Sequence, residues 1–172
     1  MVLTLDEEAS EIIEQVVKSI CWAKKPFFIT GTKMAANKEW RIASNDLNKR
    51  TPLIWLLEVI DETGYGLESS IERTINARLF FLDQTDGKQY YTKEHRQKVV
   101  KPMQSLMVAF LNAVNESGDF KPIEKYRFKT FSRFGEENKD GIIKMILDAD
   151  LSGVALDIEL SRFRKLNNCS TF

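Results

Sequence analysis

One histidine and two pairs of acids are the residues of this sequence whose types and spacing could do chemistry. His95 stands among charged residues at the start of a predicted helix without a serine or cysteine motif beside it, which favours a solvated residue over a general base. Asp148 with Asp150, and Asp157 with Glu159, alternate along predicted strands and could act as paired acid and base. Alternating polar positions on an antiparallel strand are ordinarily solvated, so the structural interpretation of both pairs is favoured.

Motifs for cofactors and metals are absent from the sequence. Neither G-x-G-x-x-G nor G-x-x-x-x-G-K occurs, which removes the common phosphate-binding loops. Cys21 and Cys169 lie near opposite ends of the chain, and a single histidine disfavours a zinc site built from histidine and cysteine. We therefore predict a protein that is not an enzyme, with no catalytic residue, no cofactor and no metal.

The most distinctive local pattern is an alternation of aromatic and basic residues between 125 and 134. Its aromatic members are Tyr126, Phe128 and Phe134, and its basic members are Lys125, Arg127, Lys129 and Arg133. Such a strand could stack bases and neutralise phosphates. The same pattern describes a half-buried strand whose Phe residues belong to the core and whose basic face meets an acidic patch on a neighbouring subunit. Because the net charge of the chain is zero, nucleic-acid binding is kept as the alternative.

Composition and charge describe a globular chain. Of its 172 residues, 43% are hydrophobic and 29% charged, which excludes intrinsic disorder and predicts one domain spanning 1–172. Residues 1–86 carry 10 basic and 14 acidic residues, whereas 87–172 carry 15 and 11, which indicates two oppositely charged surfaces. No stretch approaches the ~18 apolar residues of a membrane span, and the N-terminus is acidic, so we expect a cytoplasmic protein with no membrane partner.

The periodicity of the apolar residues predicts an α+β fold: a mixed, mainly antiparallel sheet with two principal helices packed against it. The helices are expected at 5–21 and 92–115, the second interrupted near Lys98 or restarted at Lys101 because of Pro102. Strands are expected at 27–30, 53–59, 71–82 and 125–134. Two more are expected on either side of 150–153, where the apolar parity flips and a turn or bulge is predicted.

Residues 32–51 show no sustained period and are predicted to form a long mobile loop, and the tail 167–172 is predicted to be disordered. Exposed Met34 and Trp40 would be a liability on a monomer, so we expect a partner to cover them. Lys33, Lys38 and Arg41 would then meet acids on that partner. Together with Arg127, Lys129 and Arg133, these residues and Trp40 form the predicted interface set.

Four local features accompany this layout over residues 5–162. They are an acidic N-terminal helix, Pro52-Leu53-Ile54-Trp55-Leu56 after a long polar loop, a helix carrying Pro102-Met103 and Phe110-Leu111, and Asp150-Leu-Ser-Gly153-Val154 leading into the final strand. In layout and in these features the chain resembles the tail terminator or tail completion proteins of long-tailed bacteriophages, which join head to tail.

The resemblance implies a non-enzymatic structural protein of a phage or phage-derived particle. It implies a subunit that assembles with copies of itself into a ring, commonly a hexamer, that caps the tail tube. Its partners would be the tail tube and head-completion proteins. It would be found in the virion, and in the bacterial cytoplasm during assembly.

Overall fold

A computed structural model describes residues 5–43, 46–57, 62–65, 70–86, 92–137, 139–140, 143–144, 146–147 and 149–165. The helices are α1 (Leu5–Ser19), α2 (Lys33–Ala43), α3 (Leu47–Arg50), α4 (Thr92–His95) and α5 (Lys101–Ser117), with a π-helical segment at Arg96–Val100 before α5. The strands are β1 (Phe27–Gly31), β2 (Leu53–Leu57), β3 (Glu62–Tyr65), β4 (Ser70–Gln84), β5 (Tyr126–Phe131), β6 (Glu136–Glu137), β7 (Ile143–Lys144) and β8 (Leu151–Lys165).

The main sheet has the strand order β1-β2-β4-β8-β5, and β3 pairs with the first part of β4. Only the β1–β2 pair is parallel among the described strands of this sheet, and the other pairs are antiparallel. β4 and β8 pair along their whole length, from Ser70 opposite Lys165 to Gln84 opposite Leu151. The predicted α+β class with a mixed, mainly antiparallel sheet is confirmed.

Each face of the sheet is covered by its own apolar core. On one face α1 and α5 pack on β4 and β8, because their apolar residues recur at spacings of three and four. On the other face α2 and the segment between β5 and β8 contribute Trp40, Phe134 and Leu147. The expected alternation along β4 is confirmed: Ile75, Ala77, Leu79 and Phe81 all belong to the helix-covered core.

The helix break near Pro102 takes the form of a π-helical turn. Proline has no backbone N–H and its ring crowds the carbonyl four residues earlier, here that of Lys98. The chain widens over Arg96–Val100, and the Lys101 N–H donates to the carbonyl of Arg96, five residues before it. The predicted site of interruption is confirmed. The helical path continues through it and ends at Gly118, which is left-handed with φ +71°.

Two strand predictions are wrong. No turn separates two strands at 150–153: β8 begins at Leu151 and runs through Ser152 and Gly153. The apolar parity changes because Leu151 and Ala155 face one core while Val154 and Leu156 face the other. Gly64-Tyr65, taken from the sequence as a simple break, lies in β3.

The predicted long loop at 32–51 is also wrong, because most of this segment is helical in α2 and α3. Thr32 caps α2, accepting a hydrogen bond from the Ala35 N–H on its hydroxyl at 3.2 Å. Asp46 caps α3 in the same way through the Asn48 N–H at 3.0 Å. The inner side of α2 buries only Ala36 and Trp40, one turn apart, which is too short a stripe to show as a period. The predicted disordered tail 167–172 lies outside the described residues.

Gly153 provides a test of the β4–β8 contact. A Cβ atom at this position would lie 1.9 Å from the backbone oxygen of Phe81, so the strands must separate to admit it. We expect Gly153→Ala to lower the free energy of unfolding by about 2–3 kcal/mol, as overpacking of a close contact does, in a urea titration followed by circular dichroism.

Gly118→Ala is the matched control. Both glycines have a positive φ, +157° at Gly153 and +71° at Gly118, but a Cβ at Gly118 would meet nothing within 4 Å. Its expected cost is about 1 kcal/mol, from the left-handed backbone alone. Equal losses for the two variants would contradict the close contact between β8 and β4.

Candidate docking surface

β5 forms one edge of the sheet and is exposed along almost its whole length. Among the described residues it pairs only with β8, so its outer edge faces solvent in that part of the chain. Tyr126 to Thr130 are all exposed, and only Phe131 is half-buried. The cause is the position of the helices: α1 and α5 pack on β4 and β8, and the core beneath them contains no residue of β5.

An apolar patch lies on one side of this edge. The side chains of Tyr126 and Phe128 are 43% and 48% exposed, and their rings stack with centroids 6.4 Å apart. Gln104 of α5 donates to the Thr130 hydroxyl at 3.4 Å, which brings that side of α5 next to β5. Val108, one turn further along the helix and 45% exposed, extends the patch. The expectation that the Phe residues of this segment belong to the core holds for buried Phe134 but is wrong for Phe128.

Cations occupy the opposite side of β5. Arg127 and Lys129 alternate with the aromatic residues and therefore point to the other face of the sheet. Lys129 Nζ lies 5.3 Å from the ring centroid of Phe131. The predicted third cation, Arg133, is not part of this row: β5 ends at Phe131, and the Arg133 guanidinium lies 3.2 Å from the Asp150 carboxylate. We call Val108, Tyr126, Arg127, Phe128 and Lys129 the β5 surface.

A row of alternating charges crosses the sheet and ends at this edge. Asp157 of β8 stands opposite Arg78 of β4 on one side and opposite Arg127 of β5 on the other. Both carboxylate oxygens of Asp157 accept from Arg78, at 2.6 and 3.1 Å, and the pKa of Arg78 is raised chiefly by this hydrogen bonding. Among the described residues Arg127 has no ion-pair partner. The row of alternating charges therefore ends at Arg127, on the outermost strand of the sheet.

The remaining predicted cations lie on α2. Lys33, Lys38 and Arg41 are all exposed. Lys33 forms an ion pair with Glu136, which lowers the pKa of that carboxyl. Met34 and Ile42 are 82% and 74% exposed. Because Met34, Lys38 and Ile42 are spaced four residues apart, they share one side of the helix, which we call the α2 surface.

Trp40 was predicted to lie at an interface, and this prediction is wrong. Its side chain is fully buried beneath α2, edge-on to Phe27 with ring centroids 6.5 Å apart. The Arg50 guanidinium lies 4.3 Å from the Trp40 ring centroid and donates to the Trp40 carbonyl at 3.0 Å. Trp40 therefore anchors α2 to the sheet, and the same helix presents Lys38 and its neighbours outward.

The structure does not bring the two groups of predicted interface residues together. α2 packs on β1, which forms one edge of the sheet, while β5 forms the other edge. Four strand spacings separate these edges, or ~19 Å at the usual spacing between strands. Sequence reasoning missed Ile42 and Val108, and it missed the pairing of Arg78 with Asp157. That pairing depends on contact between residues 79 positions apart and leaves no local signal.

His95 is half-buried rather than solvated, which corrects the prediction for this residue. Its Nε2 lies 2.9 Å from the Ser152 hydroxyl, and that hydroxyl donates to the carbonyl of Ser132 at 2.5 Å. Ser152 is fully buried. A hydroxyl that is closed to solvent and directs its proton to a backbone carbonyl is suited to tying α4 to β8 rather than to attacking a substrate.

The acid pairs are divided among other contacts. Asp157 is held by Arg78, Asp150 by Arg133, and Glu159 is exposed, while Asp148 lies outside the described residues. Within the described ranges, no three His, Cys, Asp or Glu side chains come together as a ligand set for a metal. In those same ranges, every helix is too short or too polar to cross a membrane.

Comparison of the sequence with protein-family models and with curated proteins gave no match. The resemblance to tail terminator proteins therefore stays a prediction from layout and local features. The geometry defines two exposed surfaces in which apolar and cationic side chains are combined.

Trp40 and Lys38 allow the corrected role of α2 to be tested. We expect Trp40→Ala to lower the free energy of unfolding by about 3–5 kcal/mol, because it removes a fully buried ring. Lys38→Ala, on the exposed side of the same helix, should change it by no more than about 0.5 kcal/mol. Urea titrations of both variants measure these changes in the free energy of unfolding. A Trp40→Ala protein as stable as the wild type would contradict the burial of Trp40.

Proposed function

We propose that this chain is a non-enzymatic structural subunit that holds protein neighbours through two separate surfaces. One observation carries the proposal: the distribution of the exposed large apolar side chains. Among the described residues, Met34 and Ile42 lie on α2, while Val108, Tyr126 and Phe128 lie at the β5 edge. Exposed apolar patches bordered by polar residues are typical of protein contacts. Because the patches lie at opposite edges of one sheet, they suit a connector between two neighbours.

The narrower proposal is a ring subunit of a phage or phage-derived particle, as the resemblance to tail terminator proteins implies. The α2 surface is cationic, whereas the sequence of α1 holds five acidic residues against the single basic residue Lys18. Contact between α2 of one copy and α1 of the next would join two different patches. Such a head-to-tail contact generates a ring when the rotation closes.

The β5 surface would then remain available to a different neighbour. In this proposal its occupant is the tail tube or a head-completion protein, so that the ring caps the tube and joins it to the head. Assembly would take place in the bacterial cytoplasm, and the protein would end in the virion. No catalytic step is part of this function.

Nucleic-acid binding by 125–134 is the second candidate, and the exposed, stacked rings of Tyr126 and Phe128 favour it. The arrangement of the cations weighs against it. A single strand that stacked on these rings would have its phosphates on the helix side of β5, whereas Arg127 and Lys129 point to the other side. Protein docking uses both sides at once.

Self-assembly of the purified chain tests the ring proposal. We expect sedimentation velocity to show a closed oligomer, seen as rings by negative-stain electron microscopy. Met34→Ser with Ile42→Ser should sediment as a monomer, because it removes the apolar part of the α2 surface.

Val108→Ser with Phe128→Ser is the matched control, since it removes two exposed apolar side chains from the other surface. This variant should still form rings. A wild-type chain that stays monomeric at every concentration would refute the ring proposal, as would full assembly of the α2 variant. Far-UV circular dichroism establishes that all three proteins are folded.

A further inference from the structure

The open edge of β5 carries unused backbone hydrogen-bonding groups as well as side chains. In a strand paired on one side only, alternate residues direct their N–H and C=O groups away from the partner strand. Here the backbone groups of Tyr126–Phe131 that point towards β8 form hydrogen bonds with that strand. No described residue pairs with the groups that point away from it. An extended segment laid against this edge would satisfy these groups and continue the sheet.

The side chains of β5 specify which segment fits. The charge row Arg78–Asp157–Arg127 alternates in sign across three strands, so the next position outward is suited to an acid. Lys129 lies two residues further along the same face, and an acid is likewise suited to the position opposite it on an added strand. On the opposite face, Tyr126 and Phe128 present exposed rings that an apolar side chain would cover.

We infer, on the basis of the function proposed above, that β5 receives an extended segment of a partner protein in which acidic and apolar residues alternate. The segment adds to the sheet as a new edge strand beyond β5. Its acids lie opposite Arg127 and Lys129 on one face. Its apolar side chains lie against the β5 apolar patch on the other, so period-two alternation is the recognition pattern.

Charge excludes the simplest alternative, in which two copies join edge to edge through β5. Lys125, Arg127 and Lys129 would then face the same cations of the second copy, and like charges directly opposite one another are unfavourable. The β1 edge of a second copy offers no acid either, since β1 consists of Phe27-Phe28-Ile29-Thr30-Gly31 and follows Lys24 and Lys25. β3, which pairs with β4 on one side, carries the single acid Glu62 over its four residues and cannot face both Arg127 and Lys129. The complementary strand is therefore assigned to a different protein.

Cations on an edge strand also have a purely protective use, because they discourage aggregation through the open edge. The protective role predicts no preference among acidic peptides of equal composition. Docking of an alternating strand predicts a strong preference. The order of residues in the ligand therefore separates the two roles.

The experiment uses a fluorescein-labelled synthetic peptide in which glutamate and valine alternate over eight residues. Its control has the same composition with the four glutamates first and the four valines after them. Fluorescence anisotropy with the full chain should show saturable binding of the alternating peptide and at least about tenfold weaker binding of the blocked one, because only alternation places acids and apolar groups on opposite faces. Labelled oligothymidine is the nucleic-acid probe in the same assay.

A charge reversal makes the test specific to β5. Arg127→Glu with Lys129→Glu should weaken binding of the glutamate peptide at least about tenfold and create binding of the matching lysine–valine peptide, since opposite charges across the pair are exchanged. Lys25→Glu with Lys49→Glu changes the net charge equally at exposed positions outside both surfaces and should bind like wild type. Thermal melting establishes that both variants are folded.

Absence of binding by the alternating peptide overturns the inference, as do equal affinities for the two peptide orders or an unchanged affinity after charge reversal. Tighter binding of oligothymidine overturns it in favour of a nucleic-acid ligand. The ring proposal is judged separately, by sedimentation of the α2 variant. If the chain forms rings but does not bind the peptide, this inference is refuted while the proposed function still stands.

Discussion

The antiparallel pairing of β4 with β8, which joins residues 70–84 to 151–165, is the interaction on which the rest of the structure depends. Both strands are apolar on two faces where Leu79–Leu82 meets Gly153–Leu156, so each face of the sheet requires a cover. α1 and α5 cover one face, while α2 and the segment around Phe134 cover the other. At this end the two strands approach so closely at Gly153 that no Cβ atom fits between them.

Because the helices pack mainly on the central strands of the sheet, the β5 edge stays exposed. β5 extends the sheet by one strand beyond the core that the helices cover, so the rings of Tyr126 and Phe128 stay exposed. Arg127 and Lys129 keep such an edge soluble and disfavour its pairing with another copy. The same cations leave it open to a segment of opposite charge. In the function proposed above, one strand would both discourage aggregation and select the partner.

Much of the fold could be predicted from the sequence, because long periodic segments report burial directly. The alternation along β4 and the apolar stripe of α5 are examples. α2 was missed because its buried side consists of Ala36 and Trp40 alone, and the local signals in this segment were the caps Thr32 of α2 and Asp46 of α3. At the candidate site, the alternation of 125–134 predicted a strand, and β5 occupies Tyr126–Phe131 of that segment. Its exposure and the Arg78–Asp157 pair depend on strand order and register, which a single sequence does not reveal.

Residue-resolved hydrogen exchange of β5, measured by NMR on the free chain and with the alternating glutamate–valine peptide bound, tests the central claim most directly. An open edge predicts that alternate amides of Tyr126–Phe131 exchange fast in the free chain while those bonded to β8 exchange slowly. Addition of the peptide should then slow the fast set without affecting β1 at the other edge. Uniform protection of β5 in the free chain, or a fast set that the peptide leaves unchanged, would contradict the account.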